Sequence, residues 1–236
     1  MQDITFFIHL YYPGSWQLIR NKCAPVLQEA TQVVITVCYD EVIEEIGNTD
    51  DRITILKVTN KGKDIGGKMA ALSYYLHFCQ KTEYFAFLHD KISPQTINSE
   101  YWFENLFSIF EINNFNKALE RLQKDRKTGI LASRNFIRNE FIAAENKFDT
   151  TNNDLLWKML TNYQLNGEPY DFVAGTVFIG RSIFLEKFFS THSPLEARES
   201  LEKGNVLDLE SGTYTHSWER LLCFIAEDQG YKITGI

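Results

Sequence analysis

The sequence predicts an α/β domain on a mostly parallel central sheet flanked by helices, and three observations carry that reading. Four β-branched and aromatic runs, Ile4 to Tyr11, Thr31 to Asp40, Asp51 to Asn60 and Glu83 to Leu88, alternate with helical patterns. Each run is apolar almost without a break, as strands covered on both faces are. Polar or glycine-rich segments follow the third and fourth runs, and in such sheets ligands bind beyond the carboxyl ends of the strands. The chain has 236 residues, 44% of them hydrophobic and 14% aromatic, so one domain with a sizeable core is expected rather than disorder.

Each element has a local signal. The first strand stops at Pro13-Gly14, and Ser15 is placed to cap a helix from Trp16 that Pro25 should kink or restart. "EVIEEIG" closes a short helix on glycine after the second strand. "GKMAALSYYLHFCQ" sets Met69, Leu72, Leu76 and Cys79 on one helical face. Residues 98–127 read as two helices, Thr128 to Ser133 as a short strand, "NKFDTTNND" as a loop and Asn152 to Leu165 as a helix. "DFVAGTVFIGRSIFLEKFF" reads as a strand interrupted at Gly175, a stop at Gly180 and a helix. "THSPLEARESLEKGNVLDLESGT" is polar and acidic, which suits a mobile surface loop. Thr213 to Asp228 restores helical periodicity through Trp218, Leu221, Leu222 and Ile225, and Gly230 ends it.

The formal net charge of −7 excludes a surface built to neutralise nucleic-acid phosphates, although a small phosphorylated ligand could still meet a local basic patch. Cys23, Cys38, Cys79 and Cys223 lie far apart with no C-x-x-C pair and read as reduced core thiols. "MQDITFFIHLYYPG" lacks a basic leader, so it reads as a strand rather than a signal peptide. No window approaches the ~18 apolar residues of a membrane span. The expectation is a cytoplasmic protein, with work at a membrane face left open.

Four segments carry residues suited to chemistry. In "NKGKDIGG", Asn60, Gly62, Gly66 and Gly67 permit close backbone approach, while Lys61, Lys63 and Lys68 bring cations beside a helix N-terminus, a favourable place for phosphate. A strand-to-helix turn with solvated lysines fits the pattern equally, and Asp64 suits a sugar hydroxyl or a helix cap. His89-Asp90-Lys91 puts an imidazole, a carboxylate and an ammonium at a strand end, where the first two can bind a divalent cation and the third a diphosphate. A polar turn is the alternative. Gly175 implies close approach of a substrate or a packed neighbour. His216 and Glu219 share a face at the start of a helix, where a carboxylate can act as general base or merely solvate the helix.

In this order, "HLYYPGSW", "TNKGKDIGG", "FAFLHDKIS", "FVAGTVFIGR" and "SGTYTHSWERLL" resemble the rhamnan synthesis protein F family, glycosyltransferase-like proteins of bacterial surface polysaccharide assembly. More distantly the layout is similar to GT-A nucleotide-sugar transferases, which implies a GT-A-like (Rossmann-like) fold. It also implies a donor-binding half over about residues 1–95 and an acceptor-binding half over about 96–236. The resemblance implies that His9, Asn60, Lys63, Asp64, His89, Asp90, Lys91 and Gly175 contact a nucleotide-diphospho-sugar. It implies Glu219 as the base that deprotonates the acceptor hydroxyl and His216 as a second group near the leaving diphosphate. GT-A enzymes carry Asp-x-Asp where this chain has His89-Asp90-Lys91. With a single carboxylate there, Mn2+ or Mg2+ would be held by Asp90 and His216, or replaced in part by the charge of Lys91. The acceptor implied is a glycan or lipid-linked saccharide, reached at the inner face of a membrane. The same residues leave open a non-catalytic nucleotide-sugar or glycan-binding module of a larger synthase, and a sugar nucleotidyltransferase.

Overall fold

The computed structural model describes residues 2–47, 50–90 and 99–236. Four strands open the chain: β1 (Ile4–Leu10), β2 (Gln32–Val37), β3 (Ile53–Lys57) and β4 (Tyr84–His89). Between them lie α1 (Ser15–Gln28), α2 (Asp40–Ile46) and α3 (Lys63–Phe78). The second half supplies α4 (Ser99–Leu106), α5 (Ile112–Lys124), β5 (Thr128–Ala132), β6 (Ile137–Asn139), β7 (Phe141–Ile142), β8 (Lys147–Phe148), α6 (Asn153–Tyr163), β9 (Asp171–Val173) and β10 (Phe178–Arg181). It ends with α7 (Ser182–Phe189), α8 (Pro194–Glu199), α9 (Tyr214–Asp228) and β11 (Lys232–Gly235).

Among the described residues seven strands form the central sheet, in the order β11-β5-β10-β4-β1-β2-β3. Strands β4, β1, β2 and β3 run parallel, as do β5 and β11, while β10 is antiparallel to both its neighbours. This is the Rossmann-like α/β domain, mostly parallel and flanked by helices, that the alternation of strands and helices predicts. The fully buried pattern of β1 follows from helices on both faces. Phe6 points to Phe110 and Phe115, with ring centroids 6.0 and 6.1 Å away. Phe7, one residue on, points to the opposite face and meets Tyr75 of α3 edge-on at 5.3 Å.

Several elements differ from expectation. Helix α1 does not restart at Pro25, because Asn21, whose carbonyl loses its partner there, and Pro25 itself both lie on the exposed side. Its cap is Gly14, not Ser15, whose buried hydroxyl is used elsewhere. The interruption at Gly175 is a full turn: Gly175 and Thr176 take φ of +85° and +45°, and β9 and β10 belong to different sheets. Residues 191–213 are not a bare loop. They contain α8, bury Pro194, Ala197 and Leu201, and pack on α3. Helices α1 to α7 and α9 lie close to the expected spans, whereas α8, β6, β7, β8 and β11 had no counterpart in the sequence reading.

Candidate active site

The carboxyl end of the sheet answers for the polar residues that close its strands. Register sets Thr36 of β2 and His89 of β4 on either side of His9 in β1, so the three side chains form one row facing α3. His9 is buried, its Nδ1 lies 2.9 Å from Thr36 Oγ1, and its Nε2 has no hydrogen-bond partner among the described residues. Burial pulls its pKa down to about 4, so it is neutral at pH 7. Helix α3 reaches this row because Gly67 lacks a side chain: a Cβ there would stand 2.1 Å from His9 Nδ1. A Cβ on Gly66 would stand 1.7 Å from the Lys61 carbonyl oxygen. Two glycines of the "NKGKDIGG" segment therefore serve helix packing, and the helix begins within the segment rather than after it.

Above the row stands Lys68, only 1% exposed. Its Nζ donates to Asp64 Oδ2 at 2.8 Å, to Thr176 O at 2.9 Å and to Thr176 Oγ1 at 2.7 Å, and His89 Nδ1 is a fourth neighbour at 3.2 Å. Thr176 Oγ1 in turn donates to Asp64 Oδ2 at 2.8 Å. One buried ammonium thus ties the start of α3, the end of β4 and the left-handed turn after β9. With its three protons directed at protein oxygens, this ammonium holds the fold together rather than facing solvent. Lys63, with φ +50°, and Asp64 occupy the first turn of α3.

The same turn reaches α9. Gly175 N donates to Glu219 Oε1 at 2.6 Å, and Glu219 Oε2 lies 3.6 Å from the Arg220 guanidinium. Arg220 is held in a two-point pair with Glu140, with both bonds at 2.7 Å, and donates to the His216 carbonyl at 2.8 Å. His216 Nδ1 is 2.6 Å from Thr213 Oγ1 and 3.7 Å from Asp208 Oδ1. Burial lowers the pKa of His216, Asp208 opposes that shift, and Lys63 and Asp64 are close enough to act on it as well. The start of α3 and the start of α9 therefore share one electrostatic neighbourhood.

Asp90 holds backbone. Its Oδ2 accepts from Tyr11 N and Tyr12 N, each at 2.7 Å, and from Ser15 Oγ at 2.8 Å, fixing the β1–α1 loop. Burial raises its pKa and these three donors counter the rise. Among the described residues no group of three or more His, Cys, Asp and Glu side chains is placed to hold a metal ion. A Mn2+ or Mg2+ ion held by Asp90 and His216 would have to draw its other ligands from phosphate and water. Lys91 lies outside the described residues.

Sequence reasoning missed the strap formed by residues 198–205. Gly62 N donates to Glu202 O at 2.7 Å, Gly204 N to Asn60 O at 3.0 Å, and Glu202 caps α9 by accepting from Tyr214 N and Thr215 N at 2.7 and 3.0 Å. Asn60 Nδ2 reaches Asn205 Oδ1 at 3.4 Å, and Asn60 Oδ1 is buried without a partner among the described residues. Arg198 donates from Nε to Gly66 O at 3.1 Å and from one terminal nitrogen to Thr59 O and Oγ1 at 2.9 and 3.0 Å. Buried Pro194, Ala197 and Leu201, spaced three and four apart, were the available signal for this strap.

No helix among the described residues is long and apolar enough to cross a membrane. A family model described as Rhamnan synthesis protein F matches residues 1–231, nearly the whole chain. A search of curated proteins finds no match.

Proposed function

Because the chain belongs to the rhamnan synthesis protein F family, and so to rhamnan synthesis, we propose that it is a glycosyltransferase moving a sugar from a nucleoside-diphosphate donor to a growing surface polysaccharide or glycan. Rhamnose is the sugar the family name suggests. The observation that carries the reading is the convergence at the strand ends: Lys68 joins Asp64, His89 and Thr176, and the adjoining Gly175 meets Glu219. That is where α/β sheets bind nucleotides.

In this reading Asn60, Lys63 and Asp64 shape the donor pocket, His9, His89 and Asp90 support its floor, and Gly175 gives the sugar access to backbone. Lys91 is assigned to the diphosphate on resemblance alone. Glu219 takes the proton of the acceptor hydroxyl as that oxygen bonds to the anomeric carbon. The carbon–oxygen bond to the diphosphate breaks, and its electron pair leaves with the nucleoside diphosphate. Lys63 stabilises the charge that develops there. His216, neutral at pH 7, supplies a hydrogen bond rather than a charge. Exposed Val206, Leu207 and Leu209 flank Asp208 beside His216 and suit an acceptor with an apolar part, such as a lipid-linked saccharide at the cytoplasmic face of a membrane.

A binding module without turnover is the second reading, favoured by one observation. Glu219, the carboxylate proposed for chemistry, and Asp90 on the pocket floor are both engaged by backbone N–H donors. Incubation with a panel of nucleoside-diphospho-sugars, nucleoside-diphospho-rhamnose included, and a polysaccharide acceptor separates the two. Acceptor-dependent release of nucleoside diphosphate is expected. Binding without release would select the module, and binding of none would overturn both.

A further inference from the structure

Arginine carries five N–H donors in a rigid fork. Three of those of Arg198 are fixed: Nε–H on the Gly66 carbonyl, and one terminal nitrogen on the Thr59 carbonyl and hydroxyl. The other terminal nitrogen makes no hydrogen bond among the described residues, and no carboxylate there lies within ion-pair distance of the guanidinium. The group is half-buried, which lowers its pKa, and the Cys38 thiol is the neighbour that offsets this. Its field in turn adds to the lowering of His9 and opposes the rise that burial gives Cys38, which places it over the carboxyl ends of β1 and β2. Two buried polar atoms of the same region, His9 Nε2 and Asn60 Oδ1, also lack partners among the described residues.

A desolvated cation with no counter-charge is costly unless an anion completes it. We propose that Arg198 is a binding residue for the phosphates of a nucleoside diphosphate, using the unengaged edge of its fork together with Lys63 at the start of α3. This rests on the donor assigned under Proposed function and adds a residue that the strap brings to the pocket from 132 positions beyond Gly66. The three anchoring bonds give the fork a fixed direction before ligand arrives, so little side-chain freedom is lost on binding.

Isothermal titration with uridine, guanosine and thymidine 5′-diphosphates, and with the matching nucleosides, tests it. R198A is expected to weaken the best diphosphate by about ten- to hundredfold and to leave nucleoside binding unchanged. R198K should recover little, since one ammonium cannot hold Thr59, Gly66 and a phosphate together. S193A, which removes the Ser193 cap on Glu196 N and loosens the start of α8 without touching the guanidinium or removing a cation, should stay within about threefold of wild type. Should R198A fail to fold, R198Q carries the same readout. Equal affinity of wild type and R198A for the diphosphates, or equal loss in R198A and S193A, would overturn the role of Arg198 and leave the transferase reading standing. No binding of any diphosphate by wild type would overturn both.

Discussion

Replacing Lys68 by methionine should lower stability by about 3 kcal/mol. The ammonium is 1% exposed and donates to three oxygens, two of them on Thr176 in the left-handed turn. Breaking a buried ion pair by removing one partner costs ~3–5 kcal/mol. The lower end applies because Asp64 is 21% exposed and keeps the Thr176 hydroxyl as a donor, so its carboxylate is partly rehydrated. Methionine fills the stem's volume, which limits any cavity contribution. At ~2–4 °C per kcal/mol for a domain of this size, the melting temperature should fall by about 6–12 °C. Thermal unfolding followed by circular dichroism reads this. The double variant K68M/D64N should regain ~1 kcal/mol, because a neutral amide needs no counter-charge where the ammonium stood. A K68M protein that melts within about 2 °C of wild type would refute the reasoning: the ammonium would not be what ties α3, β4 and the turn together.

Glu219→Gln should lower transfer at least ~100-fold while donor affinity and melting temperature hold, because the amide oxygen still accepts from Gly175 N; unchanged turnover removes Glu219 from the chemistry. The folded pKa of His9, about 4, lies below its unfolded value of 6.5, so its contribution is intact above pH 6.5 and lost as pH falls through 4. That loss totals ~3 kcal/mol, and urea titrations at several pH values should show a shallower acid slope in His9→Gln. Glu227 has the opposite sign. Burial and Asp171 raise it to about 9, so its stability is full below pH 4.5 and lost as pH rises through 9. Glu227→Gln should therefore be more stable than wild type at pH 8, by at least ~1 kcal/mol, with the gap closing towards pH 5. Gly67→Ala, whose methyl would meet the His9 ring, should cost ~1–3 kcal/mol in the same titrations.

The sequence made legible what local pattern encodes. Strands β1 to β4, α3 and α9 announce themselves through runs and periodicity long enough to count, and the strand-end rule pointed to Asn60 and His89 as candidates. Strands β7 and β8, two residues each, are too short for any period to show. The insertion of β10 between β4 and β5, antiparallel to both, depends on contacts far apart in the chain that no window contains. The strap misled because its acids look like a solvated face; in the fold Glu202 turns to the N-terminus of α9 and Arg198 to the carbonyls of Thr59 and Gly66. Lys68 misled in the same manner. A lysine after two glycines reads as exposed, and only the close approach that Gly67 allows reveals that it is buried.

The central claim is that an activated sugar sits where α3, the Gly175 turn and α9 meet. A crystal structure of the protein with a nucleoside diphosphate and the acceptor sugar tests it most directly. The account predicts phosphate oxygens within hydrogen-bond distance of Lys63 and Arg198, with the acceptor hydroxyl facing Glu219. A nucleotide bound instead in the groove lined by Tyr84, Arg126 and Arg181, at the opposite end of β4, would contradict it.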